Sequence, residues 1–234
     1  MITGLAALER GWETAVAFWP HHIGEREPGS GGHRPPPGLE QLRHALQHLF
    51  ERALAPLAER LHRLGASADQ GSVAGVVLNV GAAALVVAGH LFPAGALYLI
   101  AGMLDLLDGV LARASGKPTR FGAFLDSTLD RASEGVVLAA IGYRFAIEGS
   151  AIDAGIVVLA LLGSFLVSYV RARAEGLGAE CRVGIATRAE RVVLLALGLL
   201  SGLLPEAVRI VALLSAVTVV QRIACARRGL RAAD

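Results

Sequence analysis

Charge is scarce in this chain, and cysteine scarcer still. Only 18% of its 234 residues are charged and 54% are hydrophobic, where a soluble domain has about 25% and about 45–50%. Two cysteines occur, Cys181 and Cys225, with no CxxC and no Cys/His spacing. That excludes a zinc site of the usual kind and a disulfide framework. The stretch ETAVAFWP near the start is too short and too poorly flanked for a signal peptide. What the chain does have is apolar residues, with mean hydropathy +0.55. They gather in Val/Leu/Ala/Gly runs from about residue 72 onward, as in an integral membrane protein.

The first part differs in kind. Residues 1–38 end in EREPGSGGHRPPPG, whose Gly, Pro and charge read as a disordered extension. Trp12, Phe18 and Trp19 are suited to touching a membrane interface, but a dispensable extension is the plainer account of them. Residues 39–66 regain a helical period. Leu39, Leu42, Leu46, Leu49, Leu54, Leu57, Leu61 and Leu64 recur at three- to five-residue steps, with Arg43, Glu51, Arg52, Arg60 and Arg63 between them. An amphipathic helix, kinked at Pro56, is expected in the headgroup plane. A helix packed on a partner protein is the alternative.

Crossing an apolar core of roughly 30 Å takes about 20 helical residues. Six stretches qualify: 72–92, 95–115, 121–146, 152–173, 186–204 and 206–226. None alternates as a strand would, and in lipid only helices or closed barrels satisfy the backbone. The expected fold is therefore all-α. It comprises a disordered segment 1–38, a juxtamembrane helix 39–66, a six-helix membrane domain 67–228 and a tail 229–234. Basic residues set the orientation. Lys117, Arg120, Arg171, Arg173, Arg182, Arg188, Arg191, Arg222, Arg227, Arg228 and Arg231 fall on one side, against Arg144 and Arg209 on the other. Both termini and the longer loops are then cytoplasmic, in the inner (plasma) membrane. Both cysteines face a reducing compartment and are expected as free thiols.

Against this oily background stand four acids. Asp105 and Asp108 are i, i+3 on the second stretch, and Asp126 and Asp130 are i, i+4 on the third, so each pair shares a helix face. A short loop joins the two helices, which puts both pairs near one membrane surface. Ionisable residues inside a span are costly and mark function by default. Four carboxylates this close repel one another until protons or cations intervene. Hard divalent ions take oxygen ligands and suit displacement at phosphorus. Gly109 and Gly122 remove side chains beside the acids, and Arg113 can pair with an acid or hold a phosphate.

The run D-x2-D-G-x2-A-R-x8-G-x3-D-x3-D, filled here by Asp105, Asp108, Gly109, Ala112, Arg113, Gly122, Asp126 and Asp130, resembles the signature of the CDP-alcohol phosphotransferase family. The resemblance covers about residues 47–228. It implies six spans, a homodimer and transfer of a phospho-linked group from a CDP-linked lipid or alcohol to a hydroxyl, releasing CMP. The four aspartates would hold two Mg²⁺ ions, with Mn²⁺ as the alternative. Asp130 would also be the general base on the acceptor hydroxyl, with Asp126 beside it. Gly109, Ala112, Arg113 and Gly122 would cradle the nucleotide. For the dimer, Gly135, Ala139, Ala140 and Gly142 offer a small-residue surface.

The flanking residues narrow the acceptor. FGAFLDSTLDR, SYVRARAEGLGAECRVGIATRAERVVLL and TVVQRI resemble the branch that makes phosphatidylinositol phosphate or archaetidylinositol phosphate. The expected substrates are CDP-diacylglycerol and inositol 1-phosphate, drawn from bilayer and cytoplasm, with no nucleic-acid partner. The acceptor is a dianion, and Arg171, Arg191 and Arg222 match the family's acceptor-phosphate positions. Arginine suits phosphate oxygens, although the positive-inside rule alone also places arginines there. Arg188 and Glu190 read as local pairs or surface charges. Near the first span, Ser67 and Asp69 can cap the helix. Glycerol 3-phosphate is the alternative acceptor. An ion transporter and a catalytically silent scaffold are the readings outside the class.

Overall fold

A computed structural model describes residues 68–114, 119–181 and 183–231, without the side chains at 68–70, 106 and 108–114. The extension 1–38, the juxtamembrane helix 39–66, Ser67, Lys117 and Arg182 lie outside the described residues, as do the side chains of Asp69, Asp108, Ala112 and Arg113.

The described residues form six helices and no strand: α1 Ala68–Val87, α2 Leu91–Ala114, α3 Arg120–Ile147, α4 Ala151–Gly176, α5 Arg188–Ser201 and α6 Leu204–Arg231. All-α is thus borne out. The last helix continues three residues into the expected tail. Sharp stops separate the helices on one side. Gly89 (φ +85°) and Gly149 (φ +82°) adopt left-handed backbone. They let Gly89 N bond Val86 O and His90 N bond Leu85 O, with the same pattern after α3. A left-handed residue closing the last carbonyls in this way is glycine's usual place at a helix end. The expected spans 72–92, 95–115, 186–204 and 206–226 leave Pro93 and Pro205 in the connections. Both sit instead within the first turns of α2 and α6, where a missing N–H leaves no bond unmade.

The helices touch in the cyclic order α1, α2, α5, α6, α4, α3 and back to α1. Their shared centre holds Val86, Tyr98, Leu138, Ile141, Leu195, Leu199 and Val208. Small residues set the close approaches. A Cβ at Gly95 would lie 2.8 Å from Leu199 Cβ, and one at Gly102 would lie 2.8 Å from Val192 Cγ1, so α2 meets α5 through glycine. Gly135 and Gly142 of α3 face Phe165 and Val157 of α4. They therefore pack helices within one chain, and Ala140 is buried while Ala139 is exposed.

Outside, α4 presents Ile152, Val158, Leu159 and Leu162, and α6 presents Leu213 and Val220, all well exposed. An apolar face of this kind marks a surface that lipid or another protein covers. By length and apolarity α4 and α6 can each cross a membrane. Helix α5 has 14 residues, or ~21 Å of length, because its expected first residues are irregular backbone and Gly202 turns left-handed at its end.

Candidate active site

The start of α1, the end of α2, the start of α3, the end of α4, the start of α5 and the end of α6 lie at one end of the bundle. Three of the four acids lie there. Asp105 of α2 is mostly buried, and α1 passes so close that a Cβ at Gly75 would lie 2.8 Å from its Oδ1. Asp126 of α3 accepts a hydrogen bond from Ser72 Oγ of α1 at 3.2 Å. Asp130 sits one turn further along α3. Asp126 lies within electrostatic range of both Asp105 and Asp130. Asp108 is on the same stretch of α2, with its side chain outside the description.

Arg188, the first residue of α5, joins this cluster. Its Nη2 lies 2.6 Å from Asp105 Oδ2 and its Nη1 lies 3.0 Å from Asp130 Oδ1. The sequence reading made it a local pair or surface charge, and that is corrected: it links α2, α3 and α5. The signal was present, since Arg188 and Arg191 are one turn apart on one helix face. Glu190, by contrast, does make a local pair, accepting from Thr187 Oγ1. The start of α3 is capped by Thr119, whose side chain accepts from Gly122 N at 2.9 Å, so Gly122 is held in a first helical turn beside the acids.

The three arginines expected at the acceptor phosphate stand in different surroundings. Arg191 is almost wholly buried. Its Nε and Nη2 donate to the two carboxylate oxygens of Glu134 at 2.6 and 2.7 Å, and Nη1 donates to Ala186 O. This guanidinium is spent on the protein. Glu134 was not anticipated as its partner. Arg222 is also buried, donating from Nε to Val183 O at 2.9 Å and from Nη1 to Val167 O at 2.6 Å. Arg171 is exposed and pairs with Glu175 at 2.8 Å. Arg171, Arg191 and Arg131 all lie within electrostatic range of Arg222, making a basic neighbourhood beside the acids.

The segment between α4 and α5 is tied down on α6. Ala186 N donates to Thr218 Oγ1 at 3.0 Å, and Thr218 Oγ1 donates on to Leu214 O. Cys181 and Cys225 are joined as a disulfide, with Cα atoms 5.9 Å apart. This overturns the expectation of free thiols. Two lone cysteines 44 residues apart carry no pairing signal in the sequence, and only the packing of this segment on α6 brings them together.

The model of one family, described as CDP-alcohol phosphatidyltransferase, matches residues 68–221. The chain belongs to that family. Among related phosphatidyltransferases, an archaetidylinositol phosphate synthase of Methanothermobacter thermautotrophicus is 38% identical, over 78% of this chain and 93% of its own length. A phosphatidylinositol phosphate synthase of Mycobacteroides abscessus is 37% identical, over 79% and 88%. Two crystal structures of the phosphatidylinositol phosphate synthase of Mycobacterium tuberculosis superpose with TM-score 0.69 at 30% identity. One has CDP-DAG bound and covers 75% of this chain and 94% of its own. The other is a complex with manganese and citrate, covering 74% and 88%.

A phosphatidyltransferase of this family uses a divalent metal, and the residues here fit one. The donor set is all carboxylate oxygen, as hard cations prefer. Asp105 Oδ2 is buried and already faces a cation, the Arg188 guanidinium at 2.6 Å. Gly75 leaves the space in front of Asp105 clear of any Cβ. Among the described residues, no three acidic, histidine or cysteine side chains are drawn close enough to hold an ion together, and Arg188 stands between two of the acids.

Proposed function

We propose that this phosphatidyltransferase moves the phosphatidyl group of CDP-diacylglycerol onto inositol 1-phosphate, releasing CMP and giving phosphatidylinositol phosphate. The observation that carries this is the convergence of Asp105, Asp126 and Asp130 with an arginine-rich surround at one end of the bundle. The synthases that the chain resembles supply the acceptor class. Asp105, Asp108, Asp126 and Asp130 would hold the metal. Divalent ions held there would supply charge neutralisation at the pyrophosphate and at departing CMP. Asp130 takes the proton of the acceptor hydroxyl as its oxygen attacks the phosphatidyl phosphorus and the bond to CMP breaks. Gly109, Ala112, Arg113 and Gly122 cradle the nucleotide.

Arg171 is the arginine open to the acceptor phosphate, with Arg222 close behind it and Arg191 holding the floor. The helix bundle spans the bilayer in this reading, α5 covering only part of its thickness as helix, with the site end cytoplasmic in the inner (plasma) membrane. Two copies associate through their spans. The acceptor then comes from water and the donor from lipid.

The test is CMP release by purified protein with Mg²⁺. Inositol 1-phosphate, inositol, glycerol 3-phosphate and serine are offered separately, each with CDP-diacylglycerol and with an archaetidyl donor. Release with inositol 1-phosphate alone, abolished in Asp126→Asn, is the expected result. Release with glycerol 3-phosphate instead would discard the acceptor assignment and keep the reaction class.

A further inference from the structure

We propose that Arg188 is a resident counter-cation of the acid cluster. It competes with the divalent ion for Asp105 and Asp130, so cation binding is the event that releases its guanidinium. This rests on the metal-site reading above and extends it to a residue that the sequence pattern left aside.

The argument starts from the oxygens. Asp105 Oδ2 and Asp130 Oδ1 belong to two helices, and one guanidinium reaches both, at 2.6 and 3.0 Å. These are carboxylate oxygens of the kind that would hold a divalent ion. A guanidinium and a metal ion cannot both sit at bonding distance between them, because like charges would meet across shared ligands. Arg131 does not play this part. Its Nη1 donates to Ser127 O and stays 3.9 Å from Asp130 Oδ2, so it shields one acid without bridging two.

The backbone beneath Arg188 is fixed. One turn on, Arg191 is locked to Glu134 and to Ala186 O. The preceding turn is held by Thr187 with Glu190 and by Ala186 N on Thr218. Exchange therefore falls to the Arg188 side chain alone, swinging about an anchored Cα. Its stem is long enough for this, and a released planar fork is the group best matched to an incoming phosphate. The device would keep the carboxylates from repelling each other until the ion arrives, and would then present the fork to the acceptor.

The test is a Mn²⁺ titration of the detergent-purified protein without nucleotide or acceptor, read by the spin-resonance signal of unbound Mn²⁺. Arg188→Gln is expected to bind Mn²⁺ roughly tenfold or more tightly, since a charge-assisted contact no longer opposes the ion. Arg188→Lys keeps the charge, but one ammonium does not fork across two carboxylates, so it also tightens, by less. Arg173→Gln, an exposed charge elsewhere, leaves the affinity unchanged. Unchanged or weaker binding in Arg188→Gln overturns the proposal. Tightening in Arg188→Gln without any in Arg188→Lys also overturns it, because net charge alone would then be acting. Asp105→Asn separates the two levels. If it loses Mn²⁺ while Arg188→Gln gains nothing, the metal site stands and the competition falls. If it binds Mn²⁺ as before, the metal-site reading falls too.

Discussion

Arg188 and Arg191 are three residues apart on one helix and do different things. One spans two acids at the mouth of the site, and the other is turned into the core against Glu134. Burying a charge pair is costly, and removing one partner strands the other, at ~3–5 kcal/mol. Glu134→Gln and Arg191→Ala are therefore expected to lower the melting temperature of the detergent-solubilised protein sharply, whatever happens to turnover. A double replacement of Glu134 and Arg191 by apolar residues of similar volume should recover much of that loss. Arg171 gives the opposite profile. Its exposed pair with Glu175 is of the kind worth roughly 0–1 kcal/mol. Arg171→Gln should leave melting almost unchanged while raising the acceptor KM by about an order of magnitude, the scale of one charge-assisted bond. Steady-state CMP release over a range of inositol 1-phosphate, with melting curves beside it, checks both.

At the scale of elements, the bundle depends on where side chains are missing. Gly95 and Gly102 let α2 lie directly on α5, and that approach brings Asp105 of one within reach of Arg188 on the other. Gly102→Val adds volume against Val192 without touching a charged group. Overpacking of this sort costs ~1–3 kcal/mol. The expected outcome is a modest fall in melting temperature and a much larger fall in CMP release, since a small parting of α2 and α5 separates the acids. Equal, modest losses in both would detach the α2–α5 approach from the chemistry. The helices themselves were legible beforehand, because apolar runs of near-constant length and a D-x3-D face announce themselves in one dimension. The acids were legible for the same reason. Glu134 was not: one acid in an apolar run looks like any other until its partner, 57 residues away, is in place. Nor was the short reach of α5, since irregular backbone at Ala186 and Thr187 reads as apolar helix in sequence.

At the scale of the whole molecule, the end of the bundle that carries the site is held by long-range bonds. Arg222 grips Val183 O and Val167 O, Thr218 grips Ala186 N, and Cys181 is bonded to Cys225. Orientation by positive charge predicted free thiols, and the packing of the α4–α5 segment on α6 decides otherwise. Closing a loop of this size removes unfolded-chain entropy worth about 4 kcal/mol. Cys181→Ser is therefore expected to melt several degrees lower than the oxidised parent, and a reducing agent should bring the parent down to the same value. If reduction leaves the parent unmoved, the pairing contributes nothing to stability.

That bond also changes what a broken backbone means. Residues 181 to 225 form a covalent ring that contains all of α5 and most of α6. A protease that cuts once inside it, after Arg188 or Arg209 for instance, opens the ring but frees no fragment. The nicked chain should run as a single band on a non-reducing gel and fall into two pieces only when thiol is added.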